Sequence, residues 1–533
     1  MTRRQARAAL LIAVLATGTG VSVPARSQPP AETKTVPPRL LRWPVDVDGP
    51  HVRPEDARPG SNDPGGAGAA GGRLTLFNRD QSGVPQNEES VTACRTRPQV
   101  VLGGTNDYRK RIPGGGRGKA DTTGWHLSLD GGATVANDGL LPGVTALGVS
   151  LPSGGDPVVA ASPDCHLYAA SLNYTAVDEK EKDKEQQTSA VSLYRSDPET
   201  LAACAGGPAC WTETKVAAAS RTRFLDKEWF DVGPSGPAGV VVWVAWTEFH
   251  PTGPEGEDFT SSIRAARCRA DLAACTEPML VSGDDRDVQW ADVTIGPDGR
   301  TYLTWSEILG LREEKPQTFV HKLRVAPAGS THFGPERVVA VERSPIGFDD
   351  HLHADDFRIA TYPKHAVTMV GGRPRVFVTW ERCPHRPLGT ACEEPTIVVR
   401  STDDDGRTWS PSLTVSAGGD NYFPAIAADP TTGRLAVAYF TNRADPFHHR
   451  QELELVTLEA ATSTVVRRQT LSPSNEPDAD PYLGGRFIGD YFEVFAHAGQ
   501  AFVHFNANYR AQQLTGVGIP VLQQDNFLAR ARL

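Results

Sequence analysis

The hydrophobic positions of this chain follow one pattern that recurs seven times along its length. Each copy has a short apolar run, a polar turn often rich in Pro, Asp or Gly, and then a run of alternating β-branched or aromatic residues, as in DVTIGPDGRTYLTWSE. This pattern predicts two antiparallel strands joined by a turn. The copies begin at Val91, Val158, Asp231, Asp292, Ala366, Ala425 and Val494. Their regular spacing indicates a repeat architecture.

A third apolar run follows most copies at the same relative place, and a weaker fourth run precedes the next copy. Each unit is therefore predicted to form a four-stranded antiparallel sheet. One such sheet cannot bury both of its faces alone, and radial stacking of similar sheets gives a β-propeller. The seven onsets predict an all-β propeller of seven blades, with six as the alternative if a terminal copy supplies only part of a blade. The 42 Pro and 51 Gly suit the many turns that this fold requires.

The N-terminal region has the composition of an export signal. Arg3, Arg4 and Arg7 precede an apolar run that is too short to span a bilayer. We expect a signal peptide over 1–27, a Pro- and Gly-rich disordered linker over 28–72 and the propeller over 73–533. The protein is then secreted, to the extracellular space or the periplasm, with no transmembrane segment after signal removal. The Arg3-Arg4 pair leaves open whether export follows the general or the twin-arginine route.

Export makes the eight cysteines interpretable as disulfides. Three pairs are close in sequence, and the remaining two cysteines occupy the turns of the first two repeats, which lie on the same face of adjacent blades in a propeller. The predicted pairs are Cys94–Cys165, Cys204–Cys210, Cys268–Cys275 and Cys383–Cys392. A zinc site is the alternative, but no CxxC spacing supports it.

The formal net charge of −10 disfavours nucleic acid as a partner. The Gly-rich stretch from Pro113 to Asp121 superficially resembles a phosphate loop. It lacks the leading Gly and the Ser or Thr after Lys119, so we interpret it as a solvated loop. We expect a monomer.

Two short motifs share the pattern [ST]-x-D-x-G-x-T, one in the first unit and one in the fifth. Their defining residues are Ser128, Asp130 and Gly132 in the first unit, and Thr402, Asp404, Gly406 and Trp409 in the fifth. The Asp carboxylate can accept hydrogen bonds from the N–H groups of a tight turn, and Gly can adopt a positive φ there. We therefore expect both motifs to be structural.

On these motifs and the phrases that open its units, the chain resembles the secreted sialidase-like propellers that carry bacterial neuraminidase (Asp-box) repeats, from about Asn87 to the C-terminus. For an exo-sialidase, the resemblance implies three arginines on the substrate carboxylate and a tyrosine nucleophile activated by a glutamate. Arg111, in an Arg-Ile-Pro phrase, matches the first arginine, and Arg358 and Arg486 match by position only. Tyr491 and Glu493 are the candidate pair. They depart from the family because its tyrosine and glutamate come from different blades, and Tyr491 as a packed aromatic is the alternative.

Acidic residues repeatedly open the units, which predicts that carboxylates converge at one mouth of the channel. The set that we expect at this mouth is Asp156, Asp226, Glu228, Asp287 and Asp490. Such a cluster either binds a hard cation such as Ca²⁺ or supplies acid and base groups with raised pKa values. The alternative is that each residue caps its own turn and faces water.

The densest group of metal-ligand residues is His351, His353, Asp355 and Asp356. It is a candidate metal site; we expect that no cofactor is required and that Ca²⁺ is a possible ion. Solvated histidines in a loop are the alternative.

The sequence therefore favours a secreted propeller that binds a glycan or another extracellular ligand at its channel mouth. An exo-sialidase-type glycoside hydrolase is the alternative, and a structural or protein-interaction module is the second alternative. Convergent Arg, Tyr and carboxylate side chains would favour the enzyme. A channel mouth filled by the loop from Pro113 to Asp121 would favour the interaction module.

Overall fold

The computed structural model describes residues 73–533 with internal gaps. The residues outside this description are 1–72, 81, 111–119, 176–187, 253–257, 311–315, 345–351, 353–354, 356, 385–391, 393, 481–486 and 514–519. The predicted signal peptide, the predicted linker, Arg111, Arg486, His351, His353 and Asp356 all lie outside it.

The described chain forms seven four-stranded antiparallel sheets, which confirms the predicted seven-bladed β-propeller. Blade 1 contains β2 (Gln86–Ala93), β3 (Val101–Asp107), β4 (Thr123–Ser128) and β5 (Asn137–Leu140), and the hairpin β6 (Val144–Ala146) and β7 (Val149–Leu151) follows it. Blade 2 contains β8 (Ser153–Ala161), β9 (Leu167–Tyr174), β10 (Ser189–Ser196) and β11 (Glu213–Ser220). Blade 3 contains β12 (Phe224–Pro234), β13 (Val240–Thr252), β14 (Asp258–Arg269) and β15 (Met279–Leu280).

Blades 4 to 6 repeat the same order of strands. Blade 4 contains β16 (Val288–Ile295), β17 (Thr301–Leu309), β18 (Gln317–Ala326) and β19 (Arg337–Ser344). Blade 5 contains β20 (Lys364–Val370), β21 (Arg373–Arg382), β22 (Thr396–Thr402) and β23 (Leu413–Thr414). Blade 6 contains β24 (Asn421–Asp429), β25 (Arg434–Thr441), β26 (Glu452–Glu459) and β27 (Thr464–Thr470).

Blade 7 closes the ring with strands from both ends of the described chain. It contains β28 (Glu493–His497), β29 (Gln500–Gln513), β30 (Pro520–Arg532) and, as its outer strand, β1 (Arg73–Leu76). The last sequence repeat therefore supplies only three strands. The six-bladed alternative rested on such a partial copy, but here a fourth strand from the start of the described chain completes the blade. The strand β1 completes it by pairing antiparallel with β30, from Arg73 opposite Arg530 to Leu76 opposite Phe527.

The first strand of every blade contacts the first strands of both neighbouring blades, so these strands form the inner ring of the propeller. We call the end at which the first strands begin the top face. Connections from second to third strands and from blade to blade lie there, and the other connections lie on the bottom face. The described helices are short: α1 (Pro198–Ala203) and two 3₁₀ turns (Gly207–Cys210 and Gly236–Ala238) lie between strands of blades 2 and 3.

Apolar side chains fill the spaces between blades. The second strands carry large aromatic residues at matching places, and Trp246, Trp305 and Trp380 are fully buried. In β13, every residue from Val241 to Trp246 is buried, because this strand is covered on both faces by neighbouring blades. The blades therefore depend on one another for their core, and the propeller is one closed unit.

The four predicted disulfides are present. Cys94 and Cys165 join the bottom-face turns of blades 1 and 2 across a sequence separation of 71 residues. The other three pairs close loops within a blade, with separations of 6, 7 and 9 residues. The long-range bond is therefore the one that links two blades.

The two [ST]-x-D-x-G-x-T motifs form nearly identical bottom-face turns between third and fourth strands. In one, Thr408 donates to both oxygens of Asp404, through its N–H at 2.9 Å and its hydroxyl at 2.7 Å, and the Thr402 hydroxyl accepts from the N–H of Gly406 at 3.0 Å. In the other, Thr134 donates to Asp130 in the same way, at 2.8 and 2.6 Å. Each Asp carboxylate therefore accepts hydrogen bonds from its own turn, as expected for a structural motif.

Candidate functional site

A β-bulge near the start of the inner strand recurs in five blades and shapes the top of the channel. At each bulge one residue has a positive φ, and these residues are Glu88 (60°), Asp156 (54°), Lys227 (54°), Trp290 (61°) and Phe423 (51°). The pairing register shifts at the same places. A bulge redirects a side chain relative to the regular pleat. In blades 1 to 3 it brings ionisable side chains together.

Lys227 is the centre of this arrangement. Its ammonium nitrogen lies 2.6 Å from Asp490 Oδ2, 3.3 Å from Glu88 Oε1 and 3.3 Å from Asp156 Oδ2. These partners belong to, or lead into, blades 7, 1 and 2, whereas Lys227 belongs to blade 3. Because these contacts join non-adjacent blades, the group lies on the propeller axis. The Lys227 side chain is only 7% exposed there.

Arg358 reaches the same point from a fifth blade. It lies in the segment that leads into β20, and its guanidinium donates twice to the Asp490 carboxylate, at 2.8 Å from Nε and 2.6 Å from Nη2. The guanidinium also lies over the Phe487 ring, 4.8 Å from its centroid. The Tyr362 hydroxyl donates to the carbonyl oxygen of Asp490. We call Glu88, Asp156, Lys227, Arg358 and Asp490 the axial cluster.

Aromatic rings line the channel just below the axial cluster. Tyr491 packs edge to face on Trp229 with ring centroids 5.4 Å apart, and its hydroxyl donates to the carbonyl of Pro157 at 3.0 Å. The Lys364 ammonium lies 2.8 Å from the centroid of the Trp229 ring. Tyr491 is thus a packed residue whose hydroxyl already has an acceptor, and it lies at the edge of a polar cluster.

Burial and charge drive the pKa values of neighbouring carboxyl groups in opposite directions. Burial raises the pKa of Glu88 and of Glu228, and it raises that of Asp226, together with the nearby Asp156 charge, to about 8. Burial also opposes ionisation of Asp490, but Arg358 and Lys227 outweigh it and lower its pKa. The site therefore holds the ionised carboxylate of Asp490 beside the carboxyl group of Asp226, which is protonated at neutral pH.

A second level of charge lies below the aromatic rings. Burial raises the pKa of Glu493 to about 8 and lowers the pKa of Lys364 to about 8. Glu493 begins β28, and its Oε2 accepts from the N–H of Val91 at 3.0 Å. The Tyr491 ring centroid lies 5.9 Å from the Lys227 ammonium and 5.8 Å from the Lys364 ammonium, so Tyr491 borders both levels of charge, whereas Glu493 belongs to the second.

Of the residues predicted for the channel mouth, the structure brings Asp156, Asp226, Glu228 and Asp490 together. Asp287 lies just before β16 and is half-buried, with its carbonyl accepting from the N–H of Ile308 at 2.8 Å. The sequence did not predict Lys227, which is a member of the axial cluster, or Tyr362, which is its neighbour. Lys227 lies between two acidic residues in the phrase DKEW, and a cation in that position was the sequence feature that could have indicated its role.

Asp355 lies apart from the axial cluster, on the side of blade 6. Its Oδ1 is 2.6 Å from His449 Nδ1, and His449 Nε2 is 3.4 Å from Asp478 Oδ1. The neighbouring His448 faces Asp420 at 3.5 Å. The other residues of the metal site predicted around Asp355, namely His351, His353 and Asp356, fall outside the described residues.

The fold and this site define a seven-bladed β-propeller with a charged axial cluster. The chain matches no protein-family model, and no curated protein is significantly similar to it. Among solved structures, it is similar to a Hadza microbial sialidase, with 12% identity over 76% of this chain and 73% of that chain and a TM-score of 0.40. A protein of unknown function from Dyadobacter fermentans DSM 18053 has 12% identity over 70% and 94% of the two chains, with a TM-score of 0.42.

An alpha-L-arabinanase of Penicillium chrysogenum, complexed with arabinobiose, has 10% identity over 76% of this chain and 98% of that chain, with a TM-score of 0.40. Likenesses of this strength carry no activity or substrate over to this chain. In the described part of the chain, no helix has the length and apolar character needed to cross a membrane.

Proposed function

We propose that this protein is a secreted propeller that binds a neutral glycan at its top face, above the axial cluster. The observation that carries the proposal is the convergence of charged side chains from five directions on the axis, with aromatic rings beside them. Sugars are bound by carboxylate and amide hydrogen bonds together with apolar contact to flat rings, and polar groups that converge in one place are typical of a ligand site.

The charge balance of the site favours a neutral ligand over an anionic one. Five carboxyl groups, those of Glu88, Asp156, Asp226, Glu228 and Asp490, surround two basic groups, those of Lys227 and Arg358. The guanidinium of Arg358 already makes the two parallel hydrogen bonds that a sialic acid carboxylate would require. An exo-sialidase would need Arg358 to exchange Asp490 for its substrate, and would rely on Arg111 and Arg486 for the rest of the clamp.

The same balance argues against Ca²⁺ in the axial cluster. The ammonium of Lys227 lies where a cation shared by Glu88, Asp156 and Asp490 would have to lie. The chain therefore supplies its own cation at this point, and we propose that ligand binding there needs no metal ion.

Glycoside hydrolysis of a neutral glycan is the second candidate function. It is favoured by the neighbouring carboxyl groups with opposite pKa shifts, because one protonated and one ionised carboxyl group are what acid–base hydrolysis of a glycosidic bond requires. Asp226 would then be the proton donor, and Asp490 the ionised partner.

Two assays on the purified full-length protein test both functions. Isothermal titration with neutral arabino- and galacto-oligosaccharides and with sialyllactose measures binding, and release of a fluorophore from the matching glycosides measures hydrolysis. We expect binding of a neutral oligosaccharide and none of sialyllactose. Sialoside turnover that Arg358→Ala abolishes would overturn the proposal in favour of the exo-sialidase.

Asp226→Asn separates binding from catalysis. Because burial keeps the Asp226 carboxyl protonated at neutral pH, the amide preserves both charge and shape. A binding protein should keep its affinity in this variant, whereas a hydrolase that uses Asp226 as its acid should lose turnover by about 100-fold or more. Asp271→Asn, in an exposed turn on the bottom face, is the matched control and should change neither quantity.

A further inference from the structure

Away from the axis, three connections on the top face bring metal-ligating side chains together. Asp355 lies in the segment that leads into β20, His449 in the connection from β25 to β26, and Asp478 in the connection from β27 to β28. One ligand atom of each residue lies within 4.8 Å of the other two. We propose that Asp355, His449 and Asp478 form a site for a divalent transition-metal ion, with His449 and Asp478 as its ligands, Asp355 as the carboxylate that orients His449, and zinc as the first ion to test.

The imidazole of His449 is oriented as in known metal sites. Its Nδ1 is 2.6 Å from Asp355 Oδ1, so the Nδ1–H is donated to that carboxylate and Nε2 is left as the coordinating atom. Histidine ligands in metal sites are commonly fixed in this way, by a carboxylate on the nitrogen that does not bind the ion. The Asp355 contact thus selects the tautomer that a metal ion requires.

The distance between the two facing ligand atoms fits one shared ion. His449 Nε2 and Asp478 Oδ1 are 3.4 Å apart, which is long for a hydrogen bond between these groups. Two ligands about 2.0–2.2 Å from one tetrahedral ion lie about 3.3–3.6 Å apart. The pair is therefore spaced as neighbouring ligands of an ion are spaced.

A buried carboxylate oxygen is the independent observation that points to a cation. Asp355 is only 4% exposed, and its second oxygen, Oδ2, is buried without a hydrogen-bond partner among the described residues. A carboxylate oxygen removed from water is costly unless a charge or a donor compensates it. A cation bound to His449 Nε2 would place positive charge on the ring whose Nδ1–H this carboxylate accepts, and so would offset that cost.

The loop that carries His449 is held in place before any ligand binds. The Asp445 carboxylate accepts from the backbone N–H groups of Phe447 at 3.1 Å, His449 at 3.0 Å and Arg450 at 2.7 Å. Fixed ligand positions reduce the entropy that is lost on binding.

The ligand types favour a transition metal over calcium. Imidazole nitrogen together with carboxylate oxygen suits zinc and related ions, whereas calcium takes about six to eight oxygen ligands. This ligand set also differs from the one predicted from the sequence, which joined Asp355 to His351 and His353. The shared residue is Asp355, and the histidine is a different one, 94 residues away in the sequence.

Zinc titration of the chelator-treated full-length protein, followed by calorimetry, tests the proposal. We expect saturable binding of about one ion per chain, abolished by His449→Ala and by Asp478→Ala. Asp355→Asn should weaken binding by about 10- to 100-fold, as substitution of an orienting carboxylate does in other metal sites. His448→Ala, at the adjacent and more exposed histidine, is the matched control and should bind zinc as the wild type does.

Three outcomes would overturn the proposal. The first is zinc binding that His449→Ala and Asp478→Ala leave unchanged. The second is loss of binding in a His351→Ala/His353→Ala variant with full retention in His449→Ala. The third is Ca²⁺ binding that depends on Asp478 and not on His449. Thermal unfolding without zinc shows whether each variant folds. If Asp355→Asn does not, Asp478→Ala carries the test, because Asp478 is only partly buried.

Discussion

His504 provides a quantitative test of how the ring closes. It lies on β29 in blade 7, fully buried, with Nδ1 donating to the carbonyl of Ser90 in blade 1 at 2.9 Å. Its Nε2 accepts from Asn526 at 3.1 Å, and the Phe77 ring packs against it edge to face at 5.3 Å. Both nitrogens of the neutral ring are therefore satisfied. A proton on Nε2 would face the donor group of Asn526.

This environment makes His504 a source of acid sensitivity. Burial lowers its pKa from 6.5 to about 4, and the hydrogen bond to Ser90 only partly opposes this shift. The unfolded chain takes up a proton below pH 6.5 and the folded chain does not, so stability falls as the pH falls from about 6.5 to about 4. At about 1.4 kcal/mol per pH unit, this single residue removes about 3 kcal/mol over that range.

The perturbation is His504→Gln, which keeps a donor and an acceptor but cannot be protonated. Urea unfolding at about pH 7 and about pH 4.5 should show that the wild type loses about 2–3 kcal/mol more than the variant between the two conditions. His332→Gln, at an exposed histidine, should lose as much as the wild type. Equal losses in His504→Gln and the wild type would refute the assignment of a buried neutral imidazole. The pKa of the nearby His126 is also lowered, first by burial and then by the His504 charge, so His504→Gln also removes the part of the His126 shift that the His504 charge causes.

Three further predictions follow from contacts described above. Lys227→Met leaves Glu88 and Asp156 without their cation, and Asp490 with Arg358 alone, and should lower the free energy of unfolding at neutral pH by about 3–5 kcal/mol, measured by urea unfolding; a loss below about 1 kcal/mol would contradict the proposed network. Phe447, which is 81% exposed on the loop beside His449, should leave the melting temperature unchanged and weaken oligosaccharide binding when replaced by Ala, whereas unchanged affinity would exclude it from the ligand surface. Removing the Cys94–Cys165 bond by a double Ser substitution should cost about 4 kcal/mol, since it closes a loop of 71 residues, and a smaller loss than for a short-loop pair would contradict the loop-length argument.

The blades and their local turns could be predicted from the sequence because their signals are local. The alternation of apolar and polar residues specifies each strand, and the turn around Asp404 is formed by residues at most six positions apart. The pair Cys94–Cys165 was also predictable, because a repeat places equivalent turns side by side. Closure of blade 7 by β1 was not predictable, since Arg73–Leu76 is a short apolar run with no partner nearby in the sequence.

The site was only partly predictable because its contacts are long-range. The acidic residues that open the units indicated that Asp156 and Asp490 would converge, but not which cation would meet them. Lys227 reaches Glu88 across 139 residues, and Arg358 reaches Asp490 across 132. Arg358 was a candidate for binding a substrate carboxylate, and its partner in the structure is a carboxylate of the protein itself. No local pattern distinguishes these two outcomes.

The axial cluster has a consequence for the order in which the protein folds. Each partner of Lys227 comes from a different blade, and Asp490 belongs to the last blade to be synthesised. A fragment that lacks any of blades 1, 2, 3, 5 or 7 cannot assemble the cluster. Contacts between residues distant in the sequence form slowly, because the loss of chain entropy precedes the gain in contacts. The cluster should therefore appear late in folding, together with closure of the ring, and ligand binding should report on completed propellers alone.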